Sequence, residues 1–288
     1  MMEKAKKILY VSQEVEPYIA DSEFAVLNRN LIQGVQEFGR EVRVFMPKWG
    51  PINERRNQLH EVIRLSGMNL IIDDTDHQLI IKVASILATR LQIYFIDNDD
   101  YMKNRLFFLN KDGKSYRDNV ERVMFFARGT LETVKKLRWV PEVIHCTGIM
   151  SALAPYLLKL AYYDEPSFRE SRIIFTPTRV SEAEDVALPR NFAGVIRYRE
   201  ANRDAVAMLG RMESFSDLNR IGMFLSDGVV LREPDEAFER MAREMGKPYV
   251  VIDEGDVAKT PIGLYDQLWH EAVTKRPKKE DDDDEFLF

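Results

Sequence analysis

The chain has 288 residues, 45% of them hydrophobic and 31% charged, and its formal net charge is −6. This length buries an ample core, either as one large α/β domain or as two small ones. The acidic residues 280–285 account for the whole net charge, so the body is close to neutral. A neutral body argues against a nucleic-acid or anionic-membrane surface.

Cysteine usage and the first residues indicate the cellular compartment. Cys146 is the single cysteine, which excludes a disulfide framework and a cysteine metal site. The basic start MMEKAKK is followed by an apolar run too short for a signal-peptide core, and no stretch approaches a membrane span. We therefore expect a cytoplasmic protein.

The chain opens with one complete βαβ unit. Residues 8–12 are short, apolar and β-rich, which is typical of a strand buried on both faces of a parallel sheet. A helical stripe follows, formed by Phe24, Leu27, Leu31, Ile32, Val35 and Phe38. Residues 41–46 are the predicted second strand. Because ligands of doubly wound sheets bind at the carboxyl ends of strands, residues 13–23 are the first place to look for chemistry.

The middle of the chain alternates in polarity and then becomes strongly helical. Strands in hairpins are predicted at residues 59–65, 68–72, 79–86 and 91–96. A long helix opened by Asp118 and Asn119 follows, and then a buried strand over 141–145. The next predicted elements are a helix over 149–162 and a strand over 172–176.

The last third is less regular. Residues 181–204 are expected to be rich in loops, and residues 205–209 and 215–225 to be helical. A core strand over 227–230, a helix over 235–244 and a terminal amphipathic helix over 263–273 follow. These elements predict an α/β domain with a doubly wound, mainly parallel Rossmann-like sheet over residues 1–273. Residues 274–288 are charged and of low complexity, which predicts a disordered tail.

Five sequence stretches carry a family resemblance. VSQEVEPYIADSEFA followed by GREVRVFMPKWG resembles the opening of bacterial glycogen and plant starch synthases, the family 5 glycosyltransferases. IYFIDNDDYM, YRDNVERVMFFARGTLE and PEVIHCTGIMSALAPYLLK match later stretches in the same order. The resemblance implies the N-terminal half of a GT-B glycosyltransferase, a fold of two Rossmann-like domains facing across a cleft.

The motif after the first strand departs from the family pattern. Active synthases have Lys-Thr-Gly-Gly there, the lysine reaching an anionic group and the glycines admitting the nucleotide-sugar phosphates. This chain has Ala20, Asp21, Ser22 and Glu23 instead. The family glutamate is retained as Glu14, which we interpret as an acceptor that fixes the loop. The changed residues oppose the binding of a diphosphate.

Two further motifs are altered in the same way. The family's HAHDWH reads His145, Cys146, Thr147, Gly148, Ile149 and Met150, and its TIHN ends here in Thr178 and Arg179. The resemblance also implies a second domain that carries most donor contacts, and the chain ends near where that domain would begin. Since glycosyl transfer needs a closed cleft, we expect no transfer by this chain alone.

Other arrangements have structural interpretations. His145 and Cys146 are adjacent on a strand and point to opposite faces, so they do not predict a nucleophile pair. The remaining histidines lack ligand spacing, so neither a metal site nor a cofactor is predicted. Residues 97–100 lack the spacing of a calcium loop and are predicted to cap a helix.

The end of the tail is apolar. Phe286, Leu287 and Phe288 follow the acidic run, and they either have no role or dock into a pocket of a protein partner with a basic rim. We therefore weigh three functions. The first is a synthase-like binding or regulatory domain with a decayed transferase site, for which a nucleotide sugar is not the expected ligand. The alternatives are a glucosyltransferase half, from ADP-glucose to α-glucan, completed by a separate chain, and an adaptor acting through its tail.

Overall fold

The computed structural model describes residues 2–190, 192–196 and 212–275. Its centre is one ten-stranded sheet in the order β10-β9-β8-β7-β1-β2-β6-β5-β3, with β4 paired to β5. The strands from β10 to β6 run parallel, and β5 adds antiparallel pairs with β6, β3 and β4. The fold is therefore a doubly wound, mainly parallel α/β fold, as predicted.

The strands have the following bounds: β1 Lys7–Ser12, β2 Glu41–Pro47, β3 His60–Glu61, β4 Met68–Ile72, β5 Thr75–Ile86, β6 Leu91–Asp97, β7 Val143–Thr147, β8 Arg172–Thr176, β9 Gly228–Leu231 and β10 Tyr249–Val251. The helices are α1 Glu23–Glu37, α2 Asn119–Leu137, α3 Leu153–Leu160, α4 Phe192–Val195, α5 Leu218–Leu225, α6 Glu236–Glu244 and α7 Lys259–Thr274. Strands β8, β7, β1, β2 and β6, which the sequence predicts, lie side by side in that order.

Burial explains why the central strands read as continuous apolar runs. Every residue of β7, and all but the first of β1, is buried, as expected for parallel strands covered on both faces. One face is covered by α1 and α7, which approach closely because Gly34 leaves room for Ala258. On the other face Gly222 of α5 lies against the Phe175 ring. The core is thus a sheet between two helical layers.

The structure corrects several predicted boundaries. Only His60–Glu61 of the predicted strand over 59–65 is extended. The predicted helix over 149–162 is a 3₁₀ turn, Ile149–Ser151, followed by α3, since Pro155 at the start of α3 suits a first turn but not a helix interior. The terminal helix begins earlier than predicted, and β10 has no strong signal because its three residues are only half-buried.

The acidic segment after β6 forms a turn and not a helix cap. Asn98 Oδ1 accepts hydrogen bonds from the amides of Asp100 and Tyr101, at 2.9 and 3.0 Å. No helix follows within the described residues before α2, so the predicted helix cap at 97–100 is wrong. An asparagine side chain satisfies a turn as readily as a helix start, which is why the residue type alone does not separate them. The predicted helix over 205–209 lies outside the described residues.

Candidate functional site

A cavity of about 260 Å³ opens at the carboxyl edge of the sheet. Its wall takes residues from the loops after four parallel strands: Gln13 and Glu14 after β1, Ile149 after β7, Pro177–Val180 after β8, and Arg232, Glu233 and Asp235 after β9. Phe24, Phe107, Phe108, Glu184, Leu231 and Phe238 complete the wall. Strand order reverses between β1 and β7, and doubly wound sheets bind ligands at that point.

Glu14 is the buried carboxyl of this cavity, with 5% of its surface exposed. Its side chain accepts hydrogen bonds from Gln13 Nε2, at 3.0 Å, and from the Ser22 hydroxyl. Its backbone carbonyl accepts from Asn28 Nδ2 at 2.9 Å. Burial raises the pKa of Glu14 because the charged form loses its hydration, although the two side-chain hydrogen bonds oppose the rise. Glu14 therefore both lines the cavity and holds the β1–α1 loop.

The three altered positions at the start of α1 lie beside the cavity and are not part of its wall. Ser22 is the N-cap of α1, and its Oγ accepts from the Ala25 amide at 3.1 Å. Ala20 and Glu23 are exposed. Asp21 between them has φ +57°, a left-handed conformation that is uncommon for a residue with a Cβ. The helix start is thus closed by its own side chain and carries an acidic residue in its first turn.

His145, Thr147 and Met150 lie behind the cavity wall and are fully buried. His145 Nδ1 contacts the Tyr265 hydroxyl at 2.6 Å, and Nε2 contacts Thr176 Oγ1 at 2.8 Å. Burial lowers the pKa of His145 to about 3, so the ring is neutral. The Met150 amide donates to Gln13 Oε1 at 3.2 Å. These side chains stabilise the strand ends and do not reach the cavity.

Thr178 is the altered position of the TIHN motif that does line the cavity. Its Oγ1 accepts from the Ile149 amide at 3.2 Å, and its carbonyl accepts from Asn219 Nδ2 at 2.8 Å. Thr178 therefore joins the loops after β7 and β8 and is held from α5. It positions the neighbouring residues Ile149 and Arg179 on the cavity wall.

Two arginines stand at the cavity mouth, and each is paired. Arg179 Nε donates to Asp235 Oδ2 at 2.8 Å, and Arg232 donates to Glu233 Oε1 at 2.6 Å. The other oxygen of Asp235 accepts from the Ala237 and Phe238 amides and caps α6. Burial raises the pKa of Asp235, but the Phe238 amide, the Arg179 guanidinium and the Ala237 amide outweigh it and hold the pKa below its ordinary value.

The sequence predicts some of the residues that line the cavity. Glu14 and Thr178 were predicted site positions, whereas Phe107, Phe108, Glu184 and Phe238 were not. The apolar run 106–109 is a signal in retrospect, but nothing local shows that this loop folds over the end of β1. Among the described residues, no three His, Cys, Asp or Glu side chains gather to hold a metal ion. Phe286, Leu287 and Phe288 lie outside the described residues.

With this geometry in view, the comparisons with known proteins identify the family. The family model of the starch synthase catalytic domain matches residues 7–177. The chain belongs to that family. Glycogen synthases of Pelodictyon phaeoclathratiforme and Chlorobium limicola are each 38% identical to it over 171 residues, which are 59% of this chain and 35% of each relative. The chain thus matches about a third of the length of these relatives.

A solved structure agrees with this fold. The catalytic domain of Starch Synthase IV from Arabidopsis thaliana, bound to ADP and acarbose, superposes with a TM-score of 0.66. The match covers 87% of this chain and 51% of that one at 15% identity, so it extends the shared fold beyond residue 177 without extending the sequence likeness. The match supports the Rossmann-like half of a GT-B fold. In the part of the chain that the structure describes, no helix is long and apolar enough to cross a membrane.

Proposed function

We propose that this chain is a starch-synthase-like domain with a binding or regulatory role and without glucosyl transfer of its own. The observation that carries the proposal is the β1–α1 loop. Ser22 caps α1 and donates to Glu14, so the backbone donors that a phosphate would use are already engaged in part. The lysine and the two glycines of the family motif are replaced by Ala20, Ser22 and Glu23.

Electrostatics supports the same conclusion. Glu23 is exposed in the first turn of α1, where a diphosphate would need positive potential. Two like charges 4 Å apart at an effective dielectric of ~20 repel by roughly 4 kcal/mol. That repulsion is comparable to the whole binding free energy of a millimolar ligand, about 4 kcal/mol. The loop therefore disfavours a nucleotide sugar.

The other two family motifs, at residues 145–150 and 176–179, support the same proposal. Thr147 and Met150 occupy places where the family has histidines, and both are buried away from the cavity. Ile149 presents an apolar side chain to the cavity where the family has a tryptophan beside polar groups. The Thr178 hydroxyl accepts a hydrogen bond from the Ile149 amide. The polar groups that would hold a transferring sugar are thus absent from this described wall.

Calorimetry with ADP-glucose tests the proposal. Purified protein should give no saturable heat at millimolar ADP-glucose, and it should incorporate no labelled glucose into α-glucan. Saturable binding, or incorporation by the purified chain alone, would contradict the proposal. A purified glycogen synthase from one of the relatives serves as the positive control in both assays.

A second candidate is a glucosyltransferase half that is completed by a separate chain. It is favoured by the identity of 38% over 171 residues to glycogen synthases. If it is correct, adding a separately produced C-terminal domain of a relative should restore glucose incorporation that neither chain shows alone. An adaptor that docks through Phe286, Leu287 and Phe288 stays a further prediction, as does location in the cytoplasm.

A further inference from the structure

The cavity combines an aromatic wall with carboxyl groups. Phe24 comes from α1, Phe107 and Phe108 from the loop before α2, and Phe238 from α6. Phe24 and Phe108 are buried, whereas Phe107 and Phe238 remain half-buried at the cavity. Four phenyl rings from three separate segments give the cavity an apolar lining that a sugar phosphate does not require.

The arginines at the mouth do not make the cavity positive. Arg179 is paired with Asp235 and Arg232 with Glu233, so each guanidinium is matched by one carboxylate. Glu14 and Glu184 are the remaining acidic groups of the wall. Within the described parts of the chain, neither makes an ion pair. The wall therefore carries four carboxyl groups against two guanidinium groups, even though Arg232 also attracts the Glu14 carboxylate.

The hydrogen-bond donors that these two carboxyls use are neutral. Glu14 accepts from the Gln13 side-chain amide and from the Ser22 hydroxyl. Glu184 accepts from the amide and the hydroxyl of Ser181, at 2.9 and 2.8 Å. A carboxylate has about four acceptor sites, so both groups keep acceptor capacity for a cation.

Phe107 is held in the wall at a conformational cost. Its φ is +48°, a left-handed conformation that is a genuine outlier for a bulky residue. Its carbonyl accepts from Arg122 at 2.6 Å, and its ring packs edge-on against Trp49 with centroids 5.4 Å apart. Strained residues of this kind cluster at ligand-binding sites, because the surrounding structure has to enforce them.

We propose that this cavity binds a small organic cation, an ammonium group on an aromatic or apolar body. The ammonium lies toward Glu14 and Glu184, and the body packs against the phenylalanines, which also attract a cation through their ring faces. A volume of about 260 Å³ is just below the usual range of ligand sites, so only a small ligand fits. The inference rests on the proposed function, because it names the ligand class for a cavity that no longer suits a diphosphate.

Three probes of nearly equal shape test the ligand class. The full chain is titrated calorimetrically at pH 7.5 with 2-phenylethylamine, 2-phenylethanol and 3-phenylpropionate. We expect saturable binding of the amine, binding of the alcohol weaker by about tenfold, and no heat from the acid. Equal affinity for all three, tighter binding of the acid, or no amine binding at 10 mM would overturn the proposal.

Charge-neutral variants locate the site. Glu184→Gln should weaken the binding of the amine by roughly fivefold and leave the binding of the alcohol unchanged, since only the amine uses the charge. Glu254→Gln removes the same charge at an exposed position outside the cavity wall and should change neither. Phe238→Leu should weaken the binding of both the amine and the alcohol. Equal weakening of the amine by Glu184→Gln and Glu254→Gln would show a non-specific charge effect and overturn the proposal.

An ADP-glucose titration under the same conditions separates the two proposals. If neither ADP-glucose nor the amine binds, the organic-cation site is wrong and the proposed function stands. If ADP-glucose binds saturably, the proposed function is wrong, whatever the amine does.

Discussion

Two polar clusters at the strand ends differ in what their groups contact. The interior cluster consists of Tyr10, His145, Thr176 and Tyr265, and it is buried between the sheet and α7. Among the described residues, the side chains of this cluster bond to one another: Tyr10 to Tyr265 at 3.0 Å, Tyr265 to His145 and His145 to Thr176. Burial raises the pKa of both tyrosines and lowers that of the histidine, so all three are neutral at pH 7.

The pocket cluster consists of Glu14, Thr178, Arg179 and Asp235. It contains three ionisable groups that face a cavity, and its ion pair is open to water on the Arg179 side, where 74% of the side chain is exposed. The comparison separates the family positions that line the cavity, Glu14 and Thr178, from those that are buried behind its wall. His145 is the retained family histidine, but its position inside β7 makes it a structural group.

The largest difference between the clusters should appear on truncation. His145→Ala leaves a cavity, removes the side-chain partner of the Thr176 hydroxyl and leaves Tyr265 bonded to Tyr10 alone, so we expect a loss of about 3–5 kcal/mol in the free energy of unfolding. Thr178→Ala in the pocket cluster removes one hydrogen bond and should cost about 1 kcal/mol. Urea denaturation of both variants measures the contrast. Equal losses would mean that the interior cluster is not a structural unit.

The second largest effect should be a loss of stability in acid, caused by His145 of the interior cluster. The pKa of His145 is about 3 in the folded chain against an ordinary 6.5, so at intermediate pH the unfolded chain binds a proton that the folded chain excludes. The stability that this group contributes is present above pH 6.5 and is lost as the pH falls toward 3. The slope is about 1.4 kcal/mol per pH unit, or roughly 2–3 kcal/mol between pH 6.5 and 4.5.

The control for this pH effect is His145→Gln, which removes the titrating group and keeps a polar side chain. Unfolding free energies of the parent and the variant are compared at several pH values, and their difference should shrink as the pH falls. A constant difference would show that His145 has the same pKa in the folded chain as in the unfolded chain.

Removing the cap of α1 should have a smaller effect. Ser22→Ala takes away the hydroxyl that accepts from the Ala25 amide and donates to Glu14. We expect a loss of about 1 kcal/mol, the usual cost of an N-cap. Ser22→Asn retains a cap and should recover most of the loss in the same denaturation experiment. No loss from the alanine variant would contradict the role of Ser22 as the closing residue of the loop.

The smallest effect should come from Glu14→Gln. Because burial raises the pKa of Glu14, its contribution to stability is largest below its unfolded value and is lost as the pH rises through its folded value. The neutral glutamine keeps an acceptor for Ser22 and has no buried charge, so the variant should be slightly more stable than the parent at pH 8. This advantage should disappear near pH 4. A variant that is less stable at pH 8 would show that the charge is favourable in the loop.

The sequence predicted most of the central sheet and less of the cavity. Strands β1 and β7 were found because burial on both faces leaves short, uninterrupted apolar runs between polar loops. Glu14 and Thr178 were found because they match positions of the family motifs, and those motifs follow such strands. Phe107 and Phe238 were missed because a loop and a helix bring them to the cavity. The sequence pattern does not predict which strand end those two segments cover.

The sequence by itself determined the order of the core elements and the changed residues of the family motifs, since both depend on local residue type and spacing. The tertiary structure decided which of those residues meet. Parallel pairing sets Ser12 beside Thr147 and Thr147 beside Thr176, and α7 brings Tyr265 to His145 from 120 residues away. Contacts over such distances depend on the packing of whole layers, and that packing places His145 in the core and Glu14 at the cavity.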